Sequence, residues 1–220
     1  MSEKAKPIRT LTLSLNDLHP TQMSVGMVEV KEKVNQLKRM INTGDSHKLQ
    51  ALLKSKPIPG VIGPGNVFYI IDHHHLARAL HESGIDTSHC NVLEDYSSLS
   101  KDKFWNVMSD KKWVYPYDEN GKGPWPYADI PDHVESLKDD PYRSLAGAVE
   151  KKGGYNKTTT PFAEFLWADY LRTVVPNEQF IKSDFKVIVH EAFMYVHDAS
   201  ASSLPGYIPA STLSSTQSST

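Results

Sequence analysis

The chain has 220 residues, 39% of them hydrophobic, and a formal net charge of −2. Its length and hydrophobic content are sufficient to bury a core, as one domain or as one domain with a helical extension. It has no apolar run near the roughly 18 residues that a membrane-spanning helix needs, and the polar residues Met1 to Pro7 predict no secretory signal peptide and a cytoplasmic location. A protein dedicated to duplex DNA usually carries a basic excess, so this charge argues against long duplex DNA as the partner. Cys90 is the one cysteine, which excludes an internal disulfide.

The first half of the chain alternates strand and helix patterns. Residues 8–18 include the apolar and polar alternation from Leu11 to Leu15 that is typical of a half-buried strand. Residues 26–42 repeat apolar side chains at helical spacing, and Gly44 ends that helix. The following elements are a helix over 47–53, strands over 57–62 and 67–71, a helix to about Glu82 and a strand over 88–94. This order predicts a compact α+β unit over residues 8–96.

The second half of the chain changes character from about residue 97. An irregular aromatic segment at 113–127 follows a short helix near 104–108, and further helices are predicted over 143–151, 161–173 and 184–198. The Ser- and Thr-rich end predicts a disordered tail from residue 209 to residue 220. We therefore expect residues 97–208 to form an aromatic-rich, mainly helical extension packed on the first domain.

The most informative stretch is the junction from Ile70 to Leu80, where a hydrophobic strand runs into Asp72, three histidines and a helix. Free N–H groups and the dipole of a helix N-terminus favour an anion, phosphate above all. A neutral histidine can bind a metal, and a titrating one can move a proton near pH 7. We predict Asp72, His74 and His75 as catalytic groups, and Asp72, His73 and His75 as ligands of a divalent ion. The alternative is that Asp72 caps the helix and one histidine packs into the core.

Three segments carry a family resemblance: residues 18–22 (Leu-His-Pro-Thr-Gln), residues 57–62 (Pro-Ile-Pro-Gly-Val-Ile) and the Asp-His-His-His box at 72–75 with its helix. Together they resemble the ParB/sulfiredoxin fold, and the chain to about residue 208 is similar to the putative ParB-like nuclease family. Residues 139–147 and 160–168 resemble signatures of that family alone. The resemblance implies an α+β fold with a small mixed sheet and helices, followed by a mainly helical C-terminal extension.

The departures from this fold's other families narrow the chemistry. Sulfiredoxins need a reactive cysteine in the box before the helix, whereas Cys90 lies in a later predicted strand, which argues against sulfinic-acid reduction. The kinase relatives carry a glutamate base after the first strand, where this chain has Gln22, and Glu29 or Glu32 are the candidate substitutes. Asp140 and Pro141 are interpreted as a helix start, with Arg143 as a candidate phosphate contact.

The resemblance implies an enzyme that handles a nucleotide or phosphate, either a ParB-like nuclease or a nucleotide hydrolase. Divalent metal, Mg²⁺ or Mn²⁺ with Zn²⁺ as a further alternative, would activate the water. His73, Gln22, Arg78 and Arg143 are predicted to bind the nucleotide or phosphate, and a nucleotide or short nucleic acid is the expected partner. The alternatives are a nucleotide-dependent small-molecule kinase related to free serine kinases and a non-enzymatic nucleotide-binding switch.

Overall fold

A computed structural model describes residues 6–44 and 46–214 of the chain. The chain divides into two compact units, Met1–Asp139 and Asp140–Thr220. Each unit has its own hydrophobic core, and each is described by itself. Within the described residues, no helix combines the length and apolar character needed to cross a membrane.

The first unit carries the strands and the helices that surround them. In chain order its elements are β1 (Arg9–Ser14), β2 (Leu18–His19), β3 (Ser24–Val25), α1 (Met27–Asn42), α2 (Ser46–Ser55), β4 (Ile58–Ile62), β5 (Phe68–Ile70), α3 (His74–Glu82), β6 (Thr87–Asp95), α4 (Lys101–Asp110) and β7 (Lys138–Asp139). Apart from the strand predicted over residues 8–18, the strands and helices predicted between residues 8 and 96 are confirmed. The predicted strand over 8–18 is broken by a 3₁₀ turn at Leu15–Asp17, because the Ser14 side chain accepts the N–H of Asn16 there.

Five strands form one mixed sheet in the order β1-β6-β4-β5-β2. The pairs β1–β6 and β4–β5 are antiparallel, and the pairs β4–β6 and β2–β5 are parallel. The predicted α+β fold with a small mixed sheet is confirmed. Parallel pairing brings the end of β2 beside β5, because Leu18 pairs with Phe68 and His19 with Tyr69. The segments that follow β2 and β5 therefore leave the sheet at the same end, where the two parallel strands finish.

Both faces of this sheet are covered. On one face, α1 contributes Val30 and Leu37, and α3 contributes Ala77 and Leu80, to the larger core of the unit. On the other face, Phe104 and Met108 of α4 pack with Val61 and with residues of the aromatic segment. None of the five residues of β4 is exposed. A strand buried on both faces requires packing on both sides of the sheet, and α4 with the aromatic segment provides the second side. The boundary expected at residues 96 and 97 consequently lies inside the first unit.

A second, two-stranded sheet lies at the start of α1. Strand β3 pairs in parallel with β7, with Ser24 opposite Lys138 and Val25 opposite Asp139. The pairing joins the residues just before α1 to residues more than a hundred positions later. It therefore brings Asp139 to the N-terminal end of α1.

The second unit is helical. Its elements are α5 (Pro141–Lys151), α6 (Ala163–Val174), α7 (Gln179–Lys182), α8 (Phe185–Tyr195) and α9 (Ala210–Ser214). Trp167 is fully buried at its centre, stacks on Tyr155 with ring centroids 4.3 Å apart, and donates its indole N–H to the Pro205 carbonyl. The three predicted helices of this region are confirmed within a few residues at their ends. Helix α9 occupies residues 210–214, where the sequence pattern predicted disorder, and residues 215–220 lie outside the described part.

Candidate functional site

The junction between β5 and α3 is a sharp left-handed turn. His73 has φ of 63° and ψ of 23°, and α3 begins at the next residue. Asp72 is exposed, and its Oδ1 accepts the N–H of His73 at 2.6 Å. Asp72 therefore does not cap α3; the cap position belongs to His73, which makes no side-chain cap bond. The first-turn N–H groups of α3 have no partners within the helix and lie immediately after this exposed carboxylate.

His74 is a buried, neutral hydrogen-bond acceptor. Its Nε2 accepts the N–H of Thr21 at 3.1 Å, and the Thr21 hydroxyl donates to the Ile70 carbonyl at 2.8 Å. Burial, with a smaller contribution from the neighbouring His75 and His73, lowers the pKa of His74 to about 3. The imidazole therefore stays uncharged at neutral pH and ties the segment after β2 to the start of α3. These contacts give His74 a structural part at the junction, and the proton transfer predicted for it from the sequence stays a prediction.

His75 links α3 to the start of α1. Its Nε2 accepts the N–H of Gly26, the residue before α1, at 3.0 Å. The same Nε2 lies 3.8 Å from Oε2 of Glu29, which also pairs with Lys33 at 3.2 Å. The His75 side chain is only 12% exposed. Of the two acids considered as substitute bases, the structure thus brings Glu29 to the histidine box, whereas Glu32 is exposed on α1.

Asp139 is a site residue that sequence reasoning missed. Its Oδ1 accepts the N–H of Met27, the first residue of α1, at 3.0 Å. The carboxylate therefore satisfies the N-terminus of α1, where Gly26 has no side chain to do so. The sequence carries no local signal for this contact, because it depends on the pairing of β3 with β7.

Gln22 and Arg78 lie near the junction but are occupied elsewhere. Gln22 is buried, and its Nε2 donates to the Ser24 carbonyl at 2.7 Å. Arg78 donates to Oε1 of Glu82 at 2.7 Å and to the carbonyls of Val134, Glu135 and Leu137. An arginine with this many donors engaged stabilises the 134–137 turn. The structure thus shows these two side chains engaged within the protein, and their predicted binding roles stay predictions.

Arg143 belongs to the second unit. The interpretation of Asp140 and Pro141 as a helix start is confirmed, because Asp140 caps α5 by accepting the N–H groups of Tyr142 and Arg143. The Arg143 guanidinium lies 3.9 Å from Oε1 of Glu164 and 5.3 Å from the centre of the Phe165 ring.

Comparison with known proteins decides the family. The model of the family described as "Putative ParB-like nuclease" matches residues 11–173, which is more than half of the chain. The chain belongs to this family. The crystal structure of protein Atu1540 from Agrobacterium tumefaciens is similar, with a TM-score of 0.80 and 34% sequence identity over 92% of this chain and 99% of that one. None of the curated proteins matches the chain.

The cysteine of this ParB-like nuclease family member lies inside the sheet. Cys90 is fully buried in β6, and burial raises the pKa of its thiol to about 12. A thiol that keeps its proton at neutral pH is a poor nucleophile. Its position in β6 confirms the prediction that this cysteine lies in the strand after α3.

The donor set of this ParB-like nuclease family member does not fit the predicted metal site. Across residues 6–44 and 46–214, no three or more His, Cys, Asp or Glu side chains are grouped so as to hold a metal ion. The Nε2 atoms of His74 and His75 already accept backbone N–H groups, and metal ligation uses the same lone pair. Asp72, His73 and His75 thus do not form the ligand set that the sequence suggested.

Proposed function

We propose that this protein binds a phosphate-bearing ligand, a nucleotide or a short nucleic acid strand, at the N-terminal end of α3 and hydrolyses a phosphate ester there. The observation that carries the proposal is the left-handed turn at His73, which takes the chain from β5 into α3 within three residues. Such a turn brings the chain into the first turn of a helix, where backbone N–H groups and the helix dipole favour a phosphate group. Membership of the ParB-like nuclease family supports a phosphodiester or nucleotide substrate.

Asp72 is the proposed general base. It is exposed at the turn, and one oxygen is held by the His73 N–H at 2.6 Å. A carboxylate fixed in this way can take a proton from a water molecule that attacks phosphorus. As the new P–O bond forms, the P–O bond to the ester oxygen breaks, and the leaving oxygen takes a proton from solvent. His74 and His75 hold the 21–26 segment and the start of α1 against the helix that binds the phosphate. In this scheme they position the site, and the net charge of −2 favours a short ligand over long duplex DNA.

The first test is Asp72→Asn, which keeps the shape of the side chain and removes its basicity. We expect hydrolysis of a single-stranded oligonucleotide or of nucleoside triphosphates to fall by about 10²- to 10⁴-fold, the usual contribution of a general base. Ligand affinity should change little, because the amides of α3 remain. The measurement is the rate of product release, with the dissociation constant from calorimetry, in parallel reactions with and without Mg²⁺ and Mn²⁺.

The matched control is Asp110→Asn, the same change at an exposed carboxylate at the end of α4. This variant should retain the wild-type rate. If Asp72→Asn also retains that rate, Asp72 is not the base, and Glu29 beside His75 becomes the residue to test.

A non-enzymatic nucleotide-dependent switch is the second candidate. The observation that favours it is that His74 and His75 each connect α3 to a different segment through a backbone N–H. A ligand at the start of α3 would therefore act on the contacts that hold Thr21 and Gly26. This candidate predicts saturable nucleotide binding without turnover, together with a change of oligomeric state measured by light scattering.

A further inference from the structure

Arg143 is a buried cation whose one ion pair among the described residues is long. The residue is 9% exposed and lies in the first turn of α5. The carboxylate paired with it, that of Glu164, lies 3.9 Å from Nη2, which is beyond hydrogen-bond distance. The Nε atom is buried and has no hydrogen-bond partner among the residues that the structure describes. A buried guanidinium with one loose ion pair calls for an explanation.

The neighbouring charges do not supply the missing partner. Both oxygens of Asp140 accept from Nη2 of Arg172 at 3.0 Å, and Oδ1 also accepts two backbone N–H groups. Asp140 and Arg172 therefore compensate each other. Glu164 is 30% exposed and pairs with Arg143 only at long range. Arg172 of α6 thus has close carboxylate partners, whereas the carboxylate paired with Arg143 of α5 lies 3.9 Å away.

The surroundings of Arg143 hold its guanidinium in place. The centre of the Phe165 ring lies 5.3 Å from Cζ, within the range of a cation–π contact. A planar guanidinium fixed in this way binds phosphate and carboxylate through two parallel N–H bonds, which a lysine cannot do. We infer that Arg143 binds an oxyanion, a phosphate group, which replaces the loose contact with Glu164. This site belongs to the second unit and does not depend on the function proposed for the α3 junction.

The test measures the binding of inorganic phosphate, pyrophosphate and AMP to the full chain by isothermal titration calorimetry. Arg143→Met should weaken binding of the preferred anion at least about tenfold, and Arg143→Lys should lie between this variant and the wild type. Glu164→Gln should tighten binding by about threefold or more, because it removes a competing anion. Lys186→Met, at an exposed position of α8, removes the same charge from the same unit and should leave binding unchanged. If inorganic phosphate binds with the same affinity as AMP, the phosphate group alone is the ligand. If only AMP binds, the ligand is a nucleotide.

The melting temperature separates a binding role from a structural one. Among residues 140–214 the Arg143 guanidinium makes no hydrogen bond that the substitution would remove. Arg143→Met should therefore keep or raise Tm while binding is lost. Wild-type affinity in Arg143→Met, the absence of anion binding to the wild type, or a large fall in Tm would each overturn the inference. The two variants test the two proposals separately. Asp72→Asn should lose hydrolysis and keep phosphate binding, and Arg143→Met should lose phosphate binding and keep hydrolysis.

Discussion

Replacing Asp140 by alanine should lower the free energy of unfolding by about 3–5 kcal/mol, the usual cost of removing one partner of a buried ion pair. Asp140 is 2% exposed, caps α5 through two backbone N–H groups and pairs with Arg172. The variant would leave all of these donors without their acceptor, and the Arg172 charge would stay partly buried. Chemical denaturation followed by circular dichroism measures the change.

Asp169→Ala is the matched control, because Asp169 binds the same arginine. Its Oδ1 lies 2.7 Å from Nη1 of Arg172, a shorter distance than in the Asp140 pair, but its side chain is 44% exposed. An exposed pair contributes about 0–1 kcal/mol, so this variant should cost less than 1 kcal/mol. Equal losses in the two variants would contradict the view that burial decides the energy here.

The second large effect concerns His74 and pH. Burial lowers the pKa of the folded-state imidazole from 6.5 to about 3, whereas the unfolded chain takes up this proton near its ordinary value. The stability that depends on neutral His74 is therefore fully present above about pH 6.5 and is lost as the pH falls toward 3. Between those values it declines by about 1.4 kcal/mol per pH unit. Urea unfolding at a series of pH values measures this slope.

His74→Phe removes both the acceptor and the titration. At pH 7 we expect a loss of about 1–3 kcal/mol, because the buried N–H of Thr21 loses its partner. Below pH 6.5 the free energy of unfolding should fall less steeply in the variant than in the wild type, with a difference of about 1.4 kcal/mol per pH unit. His47→Gln, at an exposed position of α2, should keep the wild-type slope. The same slope in His74→Phe as in the wild type would show that another group carries the pH dependence.

The sequence determined most of the local structure. The helical spacing of Val30, Val34 and Leu37 predicted α1, and the run from Val67 to Ile71 predicted the strand before the histidines. The Asp-Pro start of α5 was also predicted, because an N-cap acid and a first-turn proline act within a few residues of each other. The same segments carried the family resemblance, and the family is confirmed.

The tertiary structure decided which of the site groups are available for chemistry. Three adjacent histidines look equivalent in sequence, yet pairing of β2 with β5 buries His74 against Thr21 and directs His75 to Gly26. Pairing of β3 with β7 brings Asp139 to α1. Hydrogen bonds between residues far apart in the chain depend on strand register, which no local pattern encodes. The sequence thus determined that an acid and three histidines meet at a helix start, and the packing around them decided that Asp72 stays exposed.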